Sequence, residues 1–150
     1  MELTVGDMAP EFEGIDHEGN PIKLSDFKGK KVILYFYPKD NTPGCTAQSC
    51  NLRDNYSLLQ EKGYVVLGIS SDGVDSHQKF RDKFELPFPL IADTEKEIHE
   101  LYGTWGEKSM YGRKYMGTFR FTFVIDEEGR IEDIIKKVKT KDHTAQIVKG

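Results

Sequence analysis

The sequence predicts an α/β protein with a mixed central sheet, and three patterns carry that reading. Two short apolar runs, Val32-Ile33-Leu34-Tyr35-Phe36-Tyr37 and Tyr64-Val65-Val66-Leu67-Gly68-Ile69-Ser70, are β-branched and aromatic and stop at turn residues, as buried strands do. Between them Leu52, Tyr56 and Leu59 recur at helical spacing and Gly63 closes the pattern, so strand, helix and strand alternate. Beyond residue 118, two strand-like stretches flank Glu127-Glu128-Gly129-Arg130, a hairpin that adds antiparallel pairing to a sheet that begins parallel.

Taken in order, Phe12 to Asp16 and Pro21 to Leu24 flank His17-Glu18-Gly19-Asn20 and read as an N-terminal β-hairpin. Ser25-Asp26-Phe27-Lys28-Gly29 is a capped turn leading into the strand at 31–37. The next helix is expected to run from Cys45 to about Lys62, and the second strand ends at Ser71-Asp72-Gly73. Residues 75–85 form a helix with Phe80 and Phe84 on one face. Leu86-Pro87-Phe88-Pro89-Leu90-Ile91 is an extended piece that its prolines place at a sheet edge. Asp93-Thr94 caps a helix through about Tyr102. Residues 103–117, with Trp105, Tyr111 and Tyr115, read as a glycine-studded loop whose aromatics pack over the site. Strands from Thr118 to Asp126 and Ile131 to Val138, then a helix over 142–149, complete the chain.

At 150 residues and 37% hydrophobic, the chain fits one domain spanning 1–150. A net charge of −4, with both signs interspersed, gives no electrostatic footprint for nucleic acid. The first residues lack a basic segment followed by an apolar core, and no apolar run approaches the roughly 20 residues of a membrane span, so the cytoplasm is the expected location.

The chemistry concentrates in Pro38-Lys39-Asp40-Asn41-Thr42-Pro43-Gly44-Cys45-Thr46-Ala47-Gln48-Ser49-Cys50, which holds both cysteines. Cys45 falls where a strand hands over to a helix, and the free N–H groups and macrodipole of a first helical turn favour a thiolate. Thr42-Pro43-Gly44 supplies a hydroxyl, a rigid turn and a side-chain-free approach. An inert cysteine pair is the plain alternative. Within a helix, positions five apart differ by about 140° and lie about 8.7 Å apart between Cα atoms. A disulfide needs no more than about 7 Å. Cys45 and Cys50 are therefore a poor structural staple, but a plausible two-state element, helical when reduced and locally unwound when oxidised.

Other readings are weaker. His17, His77, His99 and His143 show no paired ligand spacing, so no metal is expected. His77 or His99 as the base of a Cys–His hydrolase competes with a plain helix-surface role for each, and Cys-x-x-Cys is absent. In Thr118-Phe119-Arg120-Phe121-Thr122-Phe123-Val124-Ile125, strand alternation puts the phenylalanines on one side and Arg120 on the other. If that strand neighbours the one at 31–37, the guanidinium reaches Cys45; otherwise it is a solvated face residue.

On these residues the chain resembles the peroxiredoxins, in the bacterioferritin-comigratory or PrxQ branch. The family motif Pro-x-x-x-Thr-x-x-Cys is matched at Pro38, Thr42 and Cys45, its distant arginine at Arg120, and the branch's further cysteine at Cys50. Gly68-Ile69-Ser70, His77 with Lys79-Phe80, Leu86-Pro87-Phe88, Tyr102-Gly103 and Thr122-Phe123-Val124-Ile125-Asp126 also resemble the branch, so the likeness spans nearly the whole chain. The resemblance implies a thioredoxin-like fold and reduction of hydrogen peroxide and alkyl or lipid hydroperoxides. It implies that Cys45 attacks the peroxide and becomes a sulfenic acid, that Cys50 resolves it as an intramolecular disulfide, and that thioredoxin or a similar dithiol reduces that disulfide. It implies no cofactor, and a monomer. A non-enzymatic redox sensor using the same pair is the competing class.

Thiol acidity alone makes a poor catalyst. A cysteine whose pKa falls from about 8.5 to about 6 gains ~30-fold in thiolate at pH 7. Its nucleophilicity falls ~13-fold at a Brønsted slope of ~0.45, for a net of about two-fold. The rest must come from groups that hold the peroxide and the departing oxygen. The expected holders are the Thr42 hydroxyl, the N–H groups of Gly44 and Cys45, and Arg120, with Pro38 shielding the sulfur.

Overall fold

The computed structural model describes residues 2–148. Its centre is a five-stranded mixed sheet ordered β5-β4-β3-β8-β9. These strands are β3 (Lys31–Phe36), β4 (Tyr64–Ser70), β5 (Leu90–Ala92), β8 (Thr122–Ile125) and β9 (Ile131–Ile135). β3 pairs with β4, and β4 with β5, in parallel; β3–β8 and β8–β9 are antiparallel. The parallel half needs helical crossovers, supplied by α1 (Pro43–Asp54) and α2 (Tyr56–Glu61) between β3 and β4, and by α3 (Val74–Phe84) between β4 and β5. β1 (Glu13–Ile15) and β2 (Pro21–Lys23) form the expected N-terminal hairpin, turned by the Asp16 carboxylate, which accepts from the N–H groups of Glu18 and Asn20 at 2.9 and 3.0 Å.

Both faces of β3 are buried, which is why its sequence is unbroken apolar rather than alternating. Ile33, Tyr35 and Tyr37 pack on one side with Cys45, Leu52, Leu59, Phe80 and Phe88. Val32, Leu34 and Phe36 pack on the other with Phe12, Ile98, Tyr102 and Phe123. Each large side chain so buried stabilises the fold by about 1.5–3 kcal/mol. Gly68 is required in β4, because a Cβ there would sit 2.8 Å from the Leu90 side chain and 2.9 Å from the Tyr35 ring.

Several elements depart from the sequence reading. The helix expected to reach Lys62 divides at Asn55 (φ −109°, ψ 13°), whose side-chain amide donates to the Asn51 carbonyl at 2.8 Å in competition with the backbone. The segment 103–117 is mostly a two-stranded hairpin, β6 (Trp105–Met110) and β7 (Arg113–Thr118), turned at Tyr111-Gly112 with both residues at positive φ. Of its aromatics, Tyr111 at the turn is 100% exposed and covers nothing, Tyr115 is 40% exposed, and Trp105 packs edge-on against His99 with ring centroids 5.9 Å apart. The strand expected over 118–126 is interrupted. Thr118 ends β7, Phe119-Arg120-Phe121 bends away, and β8 starts at Thr122. Phe119 and Phe121 still stack, with ring centroids 5.6 Å apart. The strand expected to run to Val138 stops at Ile135. His77 and His99, expected on helix surfaces, are fully buried.

Asp93 starts α4 (Glu97–Tyr102) from a distance, accepting the N–H groups of Ile98 and His99 at 3.2 and 2.8 Å. The closing helix α5 is His143–Ile147; position 149 of the longer helix expected there lies outside the described residues. Asn51 of α1 holds α5, its amide donating to the Lys141 carbonyl and its side-chain oxygen accepting the Thr144 N–H, both at 2.8 Å. On the sheet side, His143 Nε2 lies 2.8 Å from the Thr122 hydroxyl.

Burial holds the His143 imidazole below the ordinary value of 6.5, outweighing the hydrogen bond to Gln146 Oε1 that favours the charged ring, and the nearby Arg120 charge adds to the lowering. Burial also lowers His17. A histidine depressed in the folded state binds its proton more readily when unfolded, so its stabilising contribution is complete above about pH 6.5 and is lost as pH falls through the folded midpoint. Thermal unfolding followed from pH 8 to pH 5 is expected to show falling stability below that value, with a shallower fall in His143→Gln.

Candidate active site

Pro38 ends the strand because it has no N–H to continue the ladder; the last bonds before it run from Phe36 N to the Phe121 carbonyl (2.9 Å) and from Tyr37 N to the Ile69 carbonyl (3.0 Å). The following loop is held from below. The Asp40 carboxylate accepts Tyr37 OH at 2.6 Å, Ser76 OH at 2.8 Å and His77 Nδ1 at 2.7 Å, and Asp40 N donates to Asp72 at 2.7 Å. The loop thereby delivers Thr42 as the N-cap of α1, with Pro43 as its first residue.

The Thr42 hydroxyl does not cap the helix; it donates to the Lys39 carbonyl at 2.9 Å. Its only proton is committed, so its lone pairs remain to accept. The Thr42 carbonyl takes the N–H of Thr46 at 2.8 Å, and the N–H groups of Gly44 and Cys45, in the first turn, have no i−4 partner within the helix. Cys45 itself is fully buried and reduced.

Arg120 reaches this sulfur from the bend between β7 and β8. One guanidinium nitrogen, Nη2, lies 3.2 Å from Cys45 Sγ, and Nη1 donates to Gln48 Oε1 at 2.7 Å. Gly44 makes room for it: a Cβ there would stand 3.3 Å from Nη2. The condition that β8 neighbour β3 is met, with Leu34 opposite Phe123 and Tyr35 opposite Thr122. Cys45, Gly44, Thr42 and Arg120 thus gather at the start of α1. Pro38 stands half-buried at the mouth of the loop, with no hydrogen bond or ring contact to the sulfur.

Cys50 lies further along α1, half-buried and reduced, and burial pushes its thiol up. The helical conformation keeps the two cysteines at the spacing expected from sequence. Hydrogen bonds pin the intervening turn, since Ser49 and Tyr35 share one at 2.9 Å and Gln48 is held by Arg120. Gln48 and Tyr35 are participants that the sequence reading did not single out. Gln48 could have been found from its position three residues after Cys45, on the same helical face; Tyr35 could not, because its partner is set only by the β3–α1 packing.

Among the described residues one group has the geometry to hold a metal ion, Asp40, Asp72 and His77, whose ligand atoms lie within 4.8 Å of one another. These residues come from three segments, so no sequence spacing announces them. Their ligand atoms are already engaged with one another and with Tyr37, Ser70 and Ser76. Those bonds make the group a brace for the loop.

A buried thiol at a helix start, shared by an arginine, defines a thiol-chemistry site on an α/β sandwich. Comparison with known proteins places it. The AhpC/TSA family matches residues 5–134, and the chain belongs to that family. It is 50% identical over 148 residues, covering 99% of this chain and 98% of the relative, to the putative peroxiredoxin Bcp of Coxiella burnetii. It is 44% identical over 146 residues, covering 97% and 93%, to the peroxiredoxin Bcp of Bacillus subtilis. A solved structure of the Xanthomonas campestris bacterioferritin comigratory protein, described for its alkyl peroxide reduction activity, superposes with a TM-score of 0.85 at 31% identity, covering 91% of this chain and 87% of that one. The fold is thioredoxin-like, the branch is Bcp/PrxQ, and the protein is a thiol peroxidase, which takes a peroxide and a thiol reductant. Among the described residues no helix is long and apolar enough to cross a membrane.

Gly44 gives a direct test of how tightly the guanidinium is held. Gly44→Ala is expected to keep the fold, since Gly44 is at ordinary helical backbone in the first turn of α1 and the added Cβ meets only the end of the Arg120 side chain. Because the added methyl crowds Arg120, the same variant should slow peroxide oxidation of Cys45 several-fold in stopped-flow measurements. Unchanged kinetics would mean the arginine is free to move aside.

Proposed function

We propose that Cys45 is the peroxidatic thiol and Cys50 the resolving one. The observation that carries this is the Arg120 Nη2 contact with Cys45 Sγ, 3.2 Å, at the open first turn of α1. The thiolate attacks the nearer peroxide oxygen, the O–O bond breaks, and the departing alkoxide or hydroxide takes a proton to leave as alcohol or water; Cys45 becomes a sulfenic acid. Arg120, fixed by Gln48, supports the negative charge as it moves from sulfur to the leaving oxygen. Thr42 Oγ accepts the peroxide O–H, because its own proton is held by Lys39, and the N–H groups of Gly44 and Cys45 face the oxygens. Pro38 fixes the loop and limits water. Since Cys45 is buried, the peroxide enters through local opening of the 38–44 loop.

The Cys50 thiol then condenses with the sulfenic acid, forming an S–S bond and releasing water. Burial pushes the Cys50 thiol up, and the helical spacing of five residues, about 8.7 Å between Cα atoms, exceeds the roughly 7 Å a disulfide allows, so resolution waits on unwinding of α1. Thioredoxin or a similar dithiol reduces the disulfide. The substrates are hydrogen peroxide and alkyl or lipid hydroperoxides. Residues 1–150 act as one domain, as a monomer, in the cytoplasm.

Three variants separate these roles. Cys45→Ser is expected to abolish peroxide consumption. Cys50→Ser should complete one turnover and then accumulate over-oxidised Cys45, visible by intact mass. Arg120→Ala should slow the first oxidation by about a hundred-fold, the scale of losing one charge-stabilising donor.

Treatment of reduced wild-type protein with one equivalent of peroxide tests resolution. Loss of two hydrogens and of both free thiols without dimer formation is the expected result. Retention of one thiol would assign resolution to an external partner.

A further inference from the structure

Lys108 lies near the site yet has no part in the mechanism above. It sits on β6, opposite Tyr115, while Gly106 faces Gly117; these four residues share one face of the hairpin. That face lies over the Phe119–Arg120 segment, because a Cβ on Gly106 would meet the Phe119 ring at 2.9 Å. The lysine stem lies along the hairpin, where a Cβ on Gly117 would stand 3.1 Å from Lys108 Cδ. Its ammonium donates to the Thr118 carbonyl at 2.9 Å. Thr118 is itself fixed, since its hydroxyl lies 2.9 Å from His99 Nε2 and His99 Nδ1 lies 2.6 Å from the Asp93 carboxylate.

The charge environment of this amine is unusual. Among the described residues no carboxylate pairs with Lys108; neighbouring Glu107 turns instead to Lys114 at 3.8 Å. Burial lowers the Lys108 ammonium, the Arg120 guanidinium lowers it further, and Cys45 acts in the opposite direction. A half-buried cation beside another cation is disfavoured unless an anion answers both. The carbonyl that holds Lys108 is two residues before Arg120, whose Nη2 lies 3.2 Å from Cys45 Sγ, so negative charge on that sulfur is the anion this pair of cations would answer.

We propose that Lys108 is a positioning residue of the peroxidatic site, a second fixed cation whose anchor on the Thr118 carbonyl lets it add to Arg120 in drawing negative charge to the Cys45 sulfur. This rests on Cys45 being the reacting thiol, but the test does not need turnover. Cys45 is alkylated with anionic iodoacetate and with neutral iodoacetamide at one pH, and both cysteines are read separately by peptide mass. A positive potential at the sulfur raises the iodoacetate-to-iodoacetamide rate ratio, and Cys50 serves as the internal reference.

Lys108→Met is expected to lower the ratio at Cys45 about three-fold or more, the scale of one unit charge removed at the edge of a partly buried site. Lys108→Arg should restore it. An unchanged ratio in Lys108→Met, or a loss in Lys108→Arg equal to that in Lys108→Met, overturns the proposal. If Lys108→Met fails to fold, wild-type protein decides. The ¹³Cε titration midpoint of Lys108 should fall when Cys45 is capped with iodoacetamide, and an unmoved midpoint overturns the pairing. A charge effect on alkylation together with peroxide consumption unchanged in Cys45→Ser would leave the Lys108 assignment standing and remove the reading of Cys45 as the peroxidatic thiol instead.

Discussion

The guanidinium of Arg120, shared between a sulfur and an amide oxygen, is the interaction on which the site depends. Its fork spans Cys45 Sγ and Gln48 Oε1, two atoms one helical turn apart, so it reads the pitch of α1 and holds only when that helix is formed. Much of the fold exists to aim it. Antiparallel pairing of β8 on β3 sets the distance, and the Phe36–Phe121 backbone bond fixes the bend from which the side chain leaves. Burial raises the Asp93 carboxyl, but hydrogen bonds from the His99 ring and from the N–H groups of His99 and Ile98 outweigh it, so the carboxylate holds His99 and through it Thr118.

A thiol buried this deeply is protected from unspecific oxidants and also cut off from its partner cysteine. In the proposed cycle the first condition ends when the 38–44 loop opens and the second when the first turns of α1 unwind. The bonds that resist opening are few and polar, Tyr35 with Ser49 and Arg120 with Gln48, inside an otherwise apolar cluster. Such contacts have strict geometry and little strength in reserve, which suits the two arrangements that the proposed resolution step asks of α1.

Sequence disclosed the parts of the molecule that local chemistry dictates. Pro38, Thr42 and Cys45 announce themselves because a strand end, an N-cap and a nucleophile must follow one another along the chain, and β3 and β4 because strands buried on both faces are continuous apolar runs. The β6–β7 hairpin escaped because three glycines and several charges hide its alternation, and its turn depends on Tyr111 adopting positive φ. His77 and His99 looked like surface residues because their partners, Asp40 and Asp93, come from other elements. Gln48 and Lys108 matter through Arg120, a residue more than seventy positions from the first, and only the folded sheet brings that arginine to them.

The interruption at Asn55 has a mechanical consequence. Because α2 starts afresh there with its own backbone geometry, rearrangement of α1 need not travel into the segment that feeds β4. In the proposed resolution step, distortion would stay upstream of a built-in expansion joint, and the sheet beside the Arg120 segment would keep its shape while the helix above it is remade. In the proposed cycle the half of the apolar core on the far face of β3, built without α1, is left undisturbed by each round.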